Sequence, residues 1–179
     1  MNCPELRITI FSLYLNQNGI ERDKMGSVLI GSYKAKLDKG GRIKIPEKFR
    51  TAIEERSGKE LFVTSLEDEF VQIFPLPIWE KMMRTPADGA RYPDPDIQEF
   101  NRKANLFGNL TEIDSKGRVL ISPAIRERAG LQSEVQVIGV NDYLEVWDRG
   151  RLDEKMAKKP LTYEDFKKIS KLMSPGKIE

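Results

Sequence analysis

Histidine is absent from this 179-residue chain, and cysteine occurs once, as Cys3. Without an imidazole there is no Ser-His-Asp or Cys-His nucleophile, and a Cys/His zinc cage lacks its ligands. A lone cysteine cannot close an intrachain disulfide, which fits the reducing cytoplasm. Long apolar runs are missing as well. The longest near the N-terminus, residues 8–15, is broken by Thr9, Ser12 and Tyr14 and falls far short of the roughly 20 residues a bilayer span needs. No A-x-A-like cleavage site follows it, so no secretory signal is read there and no membrane contact is expected. Gly-rich phosphate loops and paired carboxylates of catalytic type are also lacking, and Glu67, Asp68 and Glu69 read as a polar hairpin tip rather than a metal site. No enzyme activity, cofactor or metal is expected.

What is present is 39% hydrophobic and 32% charged residues with a net charge of +2. Such a composition builds a globular core, and the length suits one domain or two small ones. The chain repeats itself. Leu37, Asp38, Lys39, Gly40, Gly41, Arg42, Ile43, Lys44, Ile45 and Pro46 return as Ile113, Asp114, Ser115, Lys116, Gly117, Arg118, Val119, Leu120, Ile121, Ser122 and Pro123. Both copies read apolar-D-x-x-G-R, an alternating strand, then proline. A short helix opened by the proline follows in each, over 47–55 and 124–129, carrying Arg50 and Arg126 at matching places. Each half then offers a strand pair: 61–64 with 70–74, and 135–138 with 143–147. Helices are expected over 78–84 and 96–107 between the halves, interrupted by Pro86, Gly89, Pro93 and Pro95, and over 149–158 and 162–173 after them. One half alone holds too little core, so the two should bury their strand faces against each other as one pseudo-symmetric barrel.

In D-x-x-G-R the glycine supplies the positive φ of a tight turn and the aspartate caps nearby amides. Asp38, Gly41, Asp114 and Gly117 are therefore turn-structuring. The arginines admit two readings. Either Asp38 pairs with Arg42, and Asp114 with Arg118, merely to fix each turn, or the turns hold the arginines as planar donor forks for phosphate or guanine. Local charge bears on the choice. Residues 33–50 hold seven cations (Lys34, Lys36, Lys39, Arg42, Lys44, Lys48, Arg50) against Asp38 and Glu47. Alternation sets Lys34, Lys36 and Lys44 on one face of a hairpin, with Tyr33, Ala35, Leu37, Ile43 and Ile45 on the other. That face suits a nucleic-acid backbone, or it is simply a solvated lysine-rich edge. Residues 111–128 carry Lys116, Arg118, Arg126 and Arg128 against three acids, so the first repeat is expected to lead in binding and the second to support it.

The segments from Asp38 to Arg50, from Phe74 to Glu80 and from Asp114 to Arg126, with Ala129 to Leu131 and Leu144 to Asp148, resemble the MraZ proteins, bacterial transcriptional regulators of the AbrB-like class. The resemblance runs from about Gly31 to Arg151. It implies a mainly β fold with α, a barrel of swapped hairpins from two AbrB-like repeats with short helices between and after them. It implies rings of identical subunits that bind short direct repeats in duplex DNA upstream of their own gene and the cell-division and cell-wall cluster, mostly as repressors, at the nucleoid. The family's signature arginine corresponds to Arg42, with Arg118 its counterpart; Lys34, Lys36, Lys39, Lys44 and Lys116 complete the expected DNA-binding set. The first repeat departs from the usual D-x-K-G-R, having Lys39 and Gly40 where lysine would come second, whereas Asp114 to Arg118 keeps it. The implied layout is an extension over 1–27, repeats over 28–80 and 109–152, a helical connector over 81–108 and a charged tail over 153–179. Since family members commonly begin near the glycine matching Gly31, Met25 is the expected start, which N-terminal sequencing checks. An antitoxin-like protein-interaction module without sequence-specific DNA binding is the alternative; steep salt dependence separates the two.

Overall fold

The computed structural model describes residues 29–83, 95–158 and 160–173. Cys3, the expected start at Met25, Arg84 with the linker 85–94, and residues 174–179 lie outside the described residues. The first repeat comprises β1 (Leu29–Lys36), β2 (Arg42–Lys44), α1 (Glu47–Ser57), β3 (Glu60–Thr64) and β4 (Val71–Pro75). Helices α2 (Leu76–Met83) and α3 (Pro95–Leu106) follow. The second comprises β5 (Asn109–Glu112), β6 (Arg118–Leu120), α4 (Pro123–Arg128), β7 (Glu134–Asn141) and β8 (Tyr143–Asp148), and α5 (Arg149–Lys158) and α6 (Tyr163–Met173) end the described chain. Punctuation is local. The Ser122 hydroxyl accepts the Ile125 N–H, with Pro123 preset for the first turn of α4. Gly58 ends α1 at φ +79°, and Asn141 turns β7 into β8 at φ +57°.

Six strands form one antiparallel sheet in the order β1-β7-β8-β4-β3-β5, while β2 and β6 form a two-stranded ribbon. The order is unchanged when the repeats are exchanged, because β1 corresponds to β5, β3 to β7 and β4 to β8. A pseudo-twofold axis therefore passes between β4 and β8, and a second meeting point lies between β2 and β6. Each repeat's first strand pairs with the other repeat's third, β1 with β7 and β5 with β3.

Two expectations need correction. The sheet is open: among the described strands its edges β1 and β5 do not pair, and no single closed barrel forms. The expected β1–β2 hairpin shrinks to the bridge between Leu37 and Ile43. The reason is burial. Ile43 faces Val119 across the ribbon, and both are 0% exposed; pairing β2 with β6 lets these apolar positions cap the six-stranded sheet instead of extending it. Lys34 and Lys36 thus lie on the large sheet and Lys44 on the ribbon.

The main core fills the space between. Leu61, Val63, Val71, Ile73, Val135, Val137, Leu144 and Val146 line the sheet's inner face, and Ile43, Ile45, Phe49, Ile53, Val119, Ile121 and Ile125 close over it. Alternation along the central strands sends Gln72 and Phe74 of β4, with Phe70 just before it, and Tyr143, Glu145 and Trp147 of β8, to the outer face. There Phe74 stacks on Tyr143 at 4.7 Å and Phe70 on Trp147 at 4.4 Å. Trp79 of α2, Ala104 of α3 and Leu152 of α5 cover these rings.

Between the two stacks, Glu145 accepts hydrogen bonds from the Tyr143 hydroxyl at 3.2 Å and the Trp147 Nε1 at 2.8 Å. Burial pushes its carboxyl above the ordinary value of 4.5, opposed by those two donors and by Lys155, and reinforced by Glu67. A carboxyl raised in the folded state takes up its proton before the unfolded chain does, so its contribution to stability grows as pH falls toward 4.5. As the pH is lowered through the interval just above 4.5, denaturation midpoints of wild type should rise relative to those of Glu145→Gln. Parallel curves would show that Glu145 does not titrate there.

Candidate nucleic-acid interface

The two D-x-x-G-R turns share a backbone. The Gly41 N–H donates to the Asp38 carbonyl at 2.9 Å and the Gly117 N–H to the Asp114 carbonyl at 2.8 Å, with φ of +79° and +73° at the glycines. Each aspartate also caps its arginine's amide: Arg42 N donates to Asp38 Oδ1 at 2.8 Å, and Arg118 N to Asp114 Oδ1 at 2.9 Å. The Arg118 amide, the largest influence, helps hold the Asp114 carboxyl below its usual 3.8 against the effect of burial.

The guanidinium groups differ. Arg118 donates from Nε to Asp114 Oδ2 at 2.9 Å, lies 2.8 Å from the same oxygen through Nη2, and reaches Asp38 Oδ2 at 3.6 Å through Nη1. It ties its own turn to that of the first repeat. The Arg42 guanidinium has no hydrogen bond or ion pair among the described residues. It lies alongside Gly40, where a Cβ would stand 3.0 Å from Nη1, so the glycine at this departure from the usual motif leaves room for the group. The turn-fixing ion pair therefore forms in the second repeat and not in the first.

Strand alternation places the side chains. In the ribbon Arg42 stands opposite Leu120, Ile43 opposite Val119, and Lys44 opposite Arg118. Opposed residues of an antiparallel pair share a face. Ile43 and Val119 turn to the core, so Arg42, Lys44, Arg118 and Leu120 form the outer face. Lys39 is exposed at the first turn and Lys116 at the second, its backbone N–H donating to Asp114 Oδ1 at 2.8 Å. On the large sheet Lys34 is exposed, while Lys36 lies 3.7 Å from Glu134. The positions corresponding to Lys34 and Lys36 on β5 hold Leu110 and Glu112, and Glu112 stands opposite Glu60. The unmatched cations therefore belong to the first repeat.

Arg50 and Arg126 have a part that sequence reasoning missed. A Cβ on Gly117 would stand 2.8 Å from Arg50 Nη1, and one on Gly41 would stand 2.9 Å from Arg126 Cζ. Each helix arginine packs on the opposite repeat's turn glycine. Backbone bonds cross the same way, from Ile45 N to the Gly117 carbonyl and from Ile121 N to the Gly41 carbonyl, both 2.9 Å. The matching places of Arg50 and Arg126 in the repeats were the available signal; that they cross over was not in it.

The profile of the family described as "MraZ protein, putative antitoxin-like" matches residues 28–93 and 108–166. A transcriptional regulator MraZ of Acidobacterium capsulatum is 33% identical over 135 residues, covering 75% of this chain and 92% of that protein. One of Koribacter versatilis is 33% identical over 145 residues, covering 79% and 97%. That of Nitrosomonas eutropha is 34% identical over 125 residues, covering 69% and 82%. With both repeats inside the matched regions and the two turns built alike, the chain belongs to the MraZ family.

Proposed function

We propose that this protein is a cytoplasmic, nucleoid-associated regulator of transcription that binds duplex DNA through the β2–β6 ribbon. The observation that carries the reading is Arg42: an arginine without a carboxylate partner among the described residues, on the outer face of a ribbon, with its turn held by Asp38. A two-stranded ribbon fits the major groove, where an arginine fork meets guanine O6 and N7. Lys39 at the turn and Lys44 on the same face of the ribbon hold phosphates and set the register, while Lys34 stands apart on the large sheet. Lys36 shares its charge with Glu134, and Arg118 with two aspartates, so both position rather than read.

The broken pseudo-symmetry gives one ribbon a direction, which suits direct repeats better than palindromes. Its sites lie upstream of its own gene and the cell-division and cell-wall cluster, where it represses. Identical subunits in a ring set one ribbon on each repeat, and such linkage multiplies avidity by roughly 10²–10⁴. Tyr163, Phe166 and Ile169 expose an apolar side of α6 that supplies the contact between subunits.

Binding to a labelled duplex from upstream of the protein's own gene, across a salt series, tests this against a scrambled duplex. Wild type should prefer the native duplex and weaken steeply with salt. Arg42→Ala should lose about 10- to 100-fold of that preference, the worth of one bidentate base contact, while keeping its circular dichroism. Equal, salt-insensitive binding to both duplexes would overturn the reading in favour of a protein-interaction module.

A further inference from the structure

The pseudo-twofold axis of the ribbon maps Arg42 and Leu120 onto Arg118 and Lys44. The backbone at the two ends is the same and the chemistry is not. At one end an arginine bound by two carboxylates stands opposite a lysine. At the other an arginine without such a partner stands opposite Leu120, an aliphatic side chain 38% exposed on a face otherwise made of cations. A single exposed leucine is ordinary on a protein surface. Its place directly opposite Arg42, where the axis would put a lysine, is what gives it meaning.

Resting on the DNA-binding reading above, we infer that Leu120 is a specificity-determining residue that packs on the 5-methyl group of a thymine neighbouring the guanine met by Arg42. The major groove is the only place where that methyl is displayed, and apolar side chains are its natural partners there. Opposed side chains on a ribbon start about 4.5–5.5 Å apart at Cβ, while stacked bases rise about 3.4 Å per step. One ribbon can therefore set Arg42 and Leu120 against neighbouring base pairs, with Lys44 at the far end on phosphate. The ribbon has a reading end and a holding end.

Deoxyuridine keeps every hydrogen-bonding group of thymidine and lacks only the methyl, which makes it the probe. The full-length protein is titrated with the upstream duplex and with the same duplex carrying deoxyuridine for thymidine, beside a scrambled duplex. Wild type should lose at least about fourfold in affinity on the deoxyuridine duplex, the equivalent of burying one carbon group. Leu120→Ala should bind both duplexes alike and weaker than wild type binds the native one. Leu120→Lys, which copies the holding end, should bind more tightly at low salt and also ignore the methyl, which keeps the test open if the alanine variant folds poorly. Lys44→Ala should weaken both duplexes by the same factor. If wild type prefers native over scrambled DNA but binds thymidine and deoxyuridine duplexes equally, Leu120 does not read the methyl and the regulator reading survives. The same holds if Leu120→Ala retains the wild-type ratio. If native and scrambled duplexes bind equally, both readings fall.

Discussion

Phe74→Ala should lower the unfolding free energy by about 3–5 kcal/mol, the range for emptying a large buried aromatic site. Phe74 is 1% exposed, at the end of β4, where it stacks on Tyr143 at 4.7 Å and meets Trp79 at 5.2 Å. Trp79 in turn stacks on Phe62 at 4.2 Å, so one ring links β3, β4, β8 and α2. Alanine would leave a cavity bounded by rings that cannot close on it. For a chain of this size the loss corresponds to a fall in Tm of about 8–15 °C, and urea denaturation would measure it directly. A loss below about 1 kcal/mol would mean that the outer aromatic layer is not packed as described. The inner core, whose residues lie on the sheet's other face, should keep the two turns together in the variant that remains folded.

Gly41→Ala and Gly117→Ala should differ, although the motif treats the two glycines as equals. Both need a positive φ, which costs a residue with a Cβ about 1–2 kcal/mol. At Gly41 the new Cβ would also stand 2.9 Å from the backbone oxygen of Ile121. That oxygen cannot move freely, because the Ile121 N–H is bonded to the Gly41 carbonyl at 2.9 Å. At Gly117 the nearest atom is Nη1 of Arg50, 2.8 Å away at the end of a flexible side chain. Gly41→Ala is therefore expected to cost about 3–4 kcal/mol and Gly117→Ala about 1–2 kcal/mol, the excess being strain between backbones. Equal losses in chemical denaturation would show that the turns are packed alike. Gly41→Ala should also shift Arg42, so sequence preference should fall with stability in this variant, and not in Gly117→Ala.

The difference between the repeats bears on the proposed recognition of an asymmetric duplex site. A duplicated unit with a twofold axis presents the same chemistry twice, in opposite directions. Here the axis survives in the backbone, in the sheet order and in the crossed bonds between Ile45 and Gly117 and between Ile121 and Gly41. It fails in the side chains that face outward. Asp38 lies within reach of Arg118, but no described acid is paired with the Arg42 guanidinium; Lys36 opposes Glu134, but Glu112 opposes Glu60.

Features that depend on neighbours along the chain were legible in the residues. The duplication was plain in D-x-x-G-R, the turn glycines in their spacing from Asp38 and Asp114, and the helix starts in Pro46 and Pro123. Strand alternation sorted Ile43 from Arg42 and Lys44, because a period of two is a local property of extended backbone. The missing histidine and single cysteine removed whole classes of chemistry without any structure. Which strands meet was settled by long-range packing. The expected barrel became an open sheet and a separate ribbon, since the pairing of β2 with β6 joins residues 74 to 78 positions apart and that of β1 with β7 residues 98 to 112 apart, under the pull of a shared core. For the same reason Arg42 and Arg118, alike in the motif, part company in space. One is held by carboxylates from two turns that only folding brings together, and the other is left facing outward beside Leu120.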